Sequence, residues 1–120
     1  MKELLNQLVA TRLGTLAVLL LAALLEAYGD SCFQQGLHRS SGTVRYAAFT
    51  LGALALAGYG LVVNTPPWDF GKLLGLYVVL FFLVAQVLAK VRFQQSPTLP
   101  IMVGGSLIVA GGAVITLWKQ

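Results

Sequence analysis

Charge is scarce in this chain. Lysine and arginine supply 8 residues and aspartate and glutamate 4, so 10% of the sequence is charged, against about a quarter in a soluble globular domain. So few charges cannot cover a water-facing surface, which excludes a soluble core-and-shell domain. Cysteine is scarcer still. Cys32 is the 1 cysteine and His38 the 1 histidine, which rules out an intrachain disulfide framework and a multi-cysteine zinc site. No nucleophile–base pair or metal cluster points to catalysis, so neither an enzyme nor a cofactor is expected. The basic residues stand singly, and the net charge of +4 is therefore not the footprint of a nucleic-acid binder. In membrane proteins such residues decorate helix ends.

Apolar residues fill the space that charge leaves. They make up 58% of the 120 residues, and the mean hydropathy is +0.81. That length is short for two ordinary domains but holds four bilayer-spanning helices of about 20 residues each. The expected fold is therefore all-α, a single four-helix multi-pass domain of the cell inner (plasma) membrane.

Residues 1–12 place Leu4, Leu5, Leu8 and Val9 on one helical face as an amphipathic lead-in. The spans that follow cover about 12–35, 43–64, 68–91 and 99–118. Gly36 and the polar run His38-Arg39-Ser40-Ser41-Gly42 form the first loop. Asn64-Thr65-Pro66-Pro67 stops the second span, because neither proline donates to a continuing helix. Pro100 suits the first turn of the fourth, and Trp68 and Trp118 fall at interface depth. A cleaved signal peptide over residues 1–25 is the competing reading. It lacks a small-x-small cleavage site before Glu26.

Positive residues in short loops normally fix which side is cytoplasmic. Here Lys2, Arg12, Lys72 and Lys119 lie on one side, and Arg39, Arg45, Lys90 and Arg92 on the other. A chain without bias inserts both ways and pairs with an inverted copy of itself.

Glu26 stands out among the ionisable groups, a little past the middle of the first span. A carboxylate at that depth costs a few kcal/mol or more, and such residues face a cavity or a partner. Burial disfavours the charged form of a carboxyl group. A group that holds either a proton or a cation, but not both, is the minimum machinery for antiport. The plainer alternative is an acid tied structurally to a basic residue such as Lys72 or Arg12, in a non-transporting protein or accessory subunit. Asp30, four residues on, shares the face of Glu26 as a vestibule carboxylate or an interfacial acid. Asp69 and Lys72 read as an interfacial pair with Lys72 snorkelling outward. In the sharper alternative, Lys72 reaches the cavity and balances Glu26. Tyr28 and Tyr77 offer ring faces to a cation, as do Tyr46, Tyr59, Phe70, Phe81 and Phe82, although aromatics at helical spacing more often pack. The candidate proton- and substrate-binding set is Glu26, Asp30, Tyr28, Lys72 and Tyr77.

In the fourth span Gly104 and Gly111 are seven apart, as are Gly105 and Gly112. Small residues at that spacing let helices approach closely in lipid, and the stripe is expected to pack between subunits.

These residues resemble the small multidrug resistance family, four-helix exporters within the drug/metabolite transporter group. Glu26 with Gly29 matches that family's first-helix acid followed by glycine three residues on. Leu99-Pro100, Gly104, Leu107-Ile108 and Ala110-Gly111 follow its dimerisation helix. Four spans without orientation bias match its antiparallel dual-topology dimers. The similarity covers roughly residues 14–118, with the first and fourth helices carrying it. It implies a proton-coupled exporter of small cationic or polar compounds, with Glu26 from both subunits forming the shared site at the dimer midplane. The partner is a second copy or a paired homologous chain. The third helix departs from the family pattern. It keeps the prolines and a glycine but not the Gly-x-Ala-Tyr-Ala run, with Tyr77 or Phe70 standing for an aromatic. Asp30, Asp69 and Lys72 have no counterpart, which weakens the case for aromatic-cation substrates.

Overall fold

The computed structural model describes residues 12–118. The amphipathic lead-in, Lys2 and Lys119 lie outside the described residues, as does the side chain of Arg12. Four helices follow one another: α1 (Arg12–His38), α2 (Gly42–Val63), α3 (Phe70–Phe93) and α4 (Leu99–Leu117). All four are long and apolar enough to cross a membrane.

Each boundary has a local cause. α1 runs three residues past its expected end and takes Gly36 into the helix, where the missing side chain admits the ring of Phe49. The first loop shrinks accordingly. The Arg45 Nε donates to the Gly36 carbonyl at 2.8 Å and ties the start of α2 to the end of α1. At the far end of α2, the Asn64 side-chain amide and the Thr65 hydroxyl donate to the carbonyls of Gly60 and Leu61 at 2.8 and 3.2 Å. They satisfy groups that a helix end leaves open, and Pro66 then prevents continuation. α3 begins at Phe70, two residues later than its earliest expected start, because Trp68 tucks against the core instead of entering the helix. It ends where Gln94 takes a left-handed backbone, φ 55°.

Packing runs in a row. α1 lies between α2 and α3, and α4 packs on α3, giving the spatial order 2-1-3-4. The molecule measures 51 × 41 × 20 Å, so the row is close to a single layer of helices. Its core sits between α1, the end of α2 and the start of α3, built from Leu19, Ala22, Ala23, Val63, Leu73 and Tyr77. Most other large apolar side chains face outward, as they do where lipid is the solvent.

Two glycine contacts set the spacing. At the α1–α2 crossing a Cβ on Gly52 would lie 2.9 Å from the Gly29 carbonyl and 2.8 Å from the Phe33 ring, so the backbones meet there. At the α3–α4 contact Gly105 and Gly112 are buried, receiving Phe82 and Val79 of α3. Half of the stripe expected to lie between subunits is thus filled within the chain, because two bulky α3 side chains project into its notches. Gly104 and Gly111 have open space over them.

Candidate functional site

A helix turns about 100° per residue, so positions on α1 divide between the two faces of the row. Glu26 and Asp30 share one face, and Tyr28, two residues from Glu26, is turned about 200° to the other. α1 meets α3 edge-on to both.

Glu26 is half-buried, and the buried Tyr77 hydroxyl donates to its Oε1 at 2.6 Å. The Tyr77 ring lies 5.6 Å from that of Tyr59 on α2 and 6.1 Å from that of Phe81. Three helices thus contribute to one acid: α1 carries it, α3 supplies the donor, and α2 closes the side with an aromatic face. Tyr77 is held rigidly because it is itself part of the core, 4% exposed.

Asp30 is exposed and borders a recess of about 170 Å³ with Ser31, Gln34, Phe81 and Gln95, on the face that bears Glu26. Tyr28 is separated from both. It is 40% exposed, and the Arg92 guanidinium lies 5.4 Å from its ring centre. Lys72 is not brought to Glu26 either. Its ammonium lies 5.1 Å from the centre of the Trp68 ring, and it borders a recess with Asp69 and Trp118. The reason is angular: five residues separate Lys72 from Tyr77, about 140° around α3, so the two cannot serve the same face. Of the five candidate residues, Glu26 and Tyr77 are in contact and Asp30 is adjacent on one face. Tyr28 and Lys72 lie elsewhere.

The sequence reading did not single out a second polar link. Arg92 near the end of α3 donates to Gln35 Oε1 on α1, and the Arg39 guanidinium lies 4.8 Å from the centre of the Phe93 ring. Gln35, an amide inside an apolar helix, was the available signal. The pair joins the same two helices as Glu26 and Tyr77, about two and a half turns further along α1. Cys32 is buried and unpaired.

Comparison with known proteins gives a distant relative. The chain is a distant homologue of a UPF0060 membrane protein from Herpetosiphon aurantiacus, 31% identical over 72 residues, covering 58% of this chain and 66% of that protein. The match therefore spans a little under two thirds of the relative's length. The relative's name places it in a membrane and names no substrate. No family profile matches the chain, and no solved structure matches it. With the four candidate spans, the relative makes this a small multi-pass membrane protein.

Proposed function

We propose that the protein is a proton-coupled exporter of small cationic or polar compounds. It works by antiport through Glu26, with a second copy or a paired homologous chain closing the face that bears the acid. One observation carries the reading: among the described residues the partner of the Glu26 carboxylate is a neutral hydroxyl, that of Tyr77 at 2.6 Å. A lysine or arginine partner would cancel the charge and hold it cancelled. A phenol stabilises the carboxylate by hydrogen bonding yet leaves a net negative charge inside the membrane, and burial makes that charge costly. The cost is relieved by binding either a proton or a cation. Those two occupancies exclude one another at a single carboxylate, which is the exchange that antiport requires. The rings of Tyr59, Tyr77 and Phe81 beside the acid suit a cation's preference for aromatic faces. Asp30 lies one turn along the same face, where it draws cations toward Glu26.

The single-layer row supports the need for a partner. A face carrying two carboxylates cannot be left to acyl chains, whereas a second copy laid on it encloses both acids. The likeness of Glu26-x-x-Gly29 and of α4 to the small multidrug resistance family supports the same arrangement.

The test is reconstitution in proteoliposomes, recording charge movement with guanidinium, quaternary ammonium and polyamine compounds. Substrate-dependent currents are expected with the natural chain and none with Glu26→Gln, which keeps the fold because glutamine still accepts from Tyr77. Silence across the panel together with failure of Glu26→Gln to assemble would assign the acid a structural role.

A further inference from the structure

The face of the row opposite Glu26 carries a groove of about 490 Å³ between α1 and α3. Leu24 and Tyr28 form one wall, and Leu83, Val87, Leu88 and Val91 the other. From Leu83 to Val91 the groove follows about 12 Å of helix, most of the roughly 15 Å depth of one leaflet. Apart from the Tyr28 hydroxyl, its walls are hydrocarbon.

The groove ends in positive charge. The Arg92 guanidinium lies over the ring of Tyr28 and is anchored to Gln35, while its Nε is buried with no hydrogen-bond partner. Arg39 is held at the same end over Phe93, and Lys90 is exposed two residues before Arg92. Beyond Asp30, on the other face, no carboxylate among the described residues lies in the loops at this end. An apolar slot one leaflet deep, capped by cations at headgroup level, has the charge and shape of a bound anionic phospholipid. Basic pockets between membrane helices take such headgroups.

We propose that this groove holds one acyl chain of an anionic phospholipid, with Arg92, assisted by Arg39 and Lys90, taking the phosphate. The apolar character of this face distinguishes it from the acid-bearing face, so lipid on one and a protein partner on the other do not compete. A lipid seated there would bridge α1 and α3, the two helices that supply Glu26 and Tyr77.

The experiment is native mass spectrometry of the detergent-purified full chain, titrated separately with phosphatidylglycerol, phosphatidylcholine and inorganic phosphate. One phosphatidylglycerol per chain is expected, retained roughly fivefold more than phosphatidylcholine per basic contact. Arg92→Gln should lower that preference roughly fivefold. Val87→Trp should lower retention of both by filling the groove. Val87 is 64% exposed, so this variant keeps the test open if Arg92→Gln does not fold. Equal retention of the two lipids by the natural chain would overturn the assignment, as would phosphatidylglycerol retention that Val87→Trp leaves unchanged. Displacement of the lipid by inorganic phosphate at equal concentration would also overturn it, because the site would then read phosphate alone. Loss of lipid on dimer formation would give the groove to a second copy.

Discussion

At the scale of single residues, the hydrogen bond between Tyr77 and Glu26 is the contact on which the proposed exchange rests. Hydrogen bonds to charged groups contribute about 1.5–3 kcal/mol, and that one should appear in function more than in folding. Tyr77→Phe keeps the ring in the core and removes the donor, so we expect coupled flux to fall about tenfold or more while the purified protein remains folded. Flux in Tyr77→Phe equal to that of the natural chain would detach Tyr77 from the transport site. Lys72→Gln supplies the complementary test. Lys72 lies over Trp68 and away from the acid, so flux should stay within about twofold, an effect of no more than about 0.5 kcal/mol on a surface contact. Glu26 was legible in the sequence because an acid inside an apolar run has no ordinary explanation. Its bond to Tyr77 was not, because the two are 51 positions apart and their meeting depends on the register of α1 against α3. Tyr28 and Lys72 lie away from the acid by helix rotation, about 200° from Glu26 on α1 and about 140° from Tyr77 on α3.

At the scale of helices, glycine positions set how close each pair can come. Gly52→Leu would force the α1–α2 crossing apart against the Gly29 carbonyl and Phe33, a case of overpacking that costs about 1–3 kcal/mol. A lowered thermal midpoint in detergent is expected. On α4, two neighbouring positions separate two roles. Gly105→Leu collides with Phe82 and should destabilise the monomer, whereas Gly104→Leu enters open space and should leave the monomer's thermal midpoint unchanged. If Gly104→Leu lowers the dimer fraction without lowering that midpoint, the remaining open stripe is the contact between copies. Helix ends were readable within a few residues, since prolines, Asn64 and Thr65 act locally. The inward use of Gly105 and Gly112 was not readable, because a seven-residue glycine spacing fits a neighbour in the same chain as well as one in another.

At the scale of the whole molecule, the row 2-1-3-4 is close to one helix layer deep and leaves two unlike faces. One bears Glu26 and Asp30, and the other carries the apolar groove ending at Arg92. Four spans were plain from hydropathy, which is a property of each segment alone. The order of the helices was not, because it follows from which small residues meet. Insertion belongs to this scale too. Arg39, Arg45, Lys90 and Arg92 gather at one end of the row. Changing Arg39 and Lys90 to Gln removes half of that end's basic residues, so insertion should shift toward the orientation with both termini cytoplasmic. A C-terminal reporter read on both sides of the membrane checks this. An unchanged distribution would mean that loop charge does not set the balance.

The row is also two hairpins, α1–α2 and α3–α4, joined through residues 64–69, and this has a consequence for biogenesis. A ribosome makes the first hairpin before it makes Tyr77. Glu26 therefore enters the bilayer ahead of its donor and spends the interval without that hydrogen bond. Speed of synthesis across the joint sets the length of that interval. Slow translation of residues 64–77 should route more chains to proteolysis than the same delay placed after Phe93, once both partners of the bond exist.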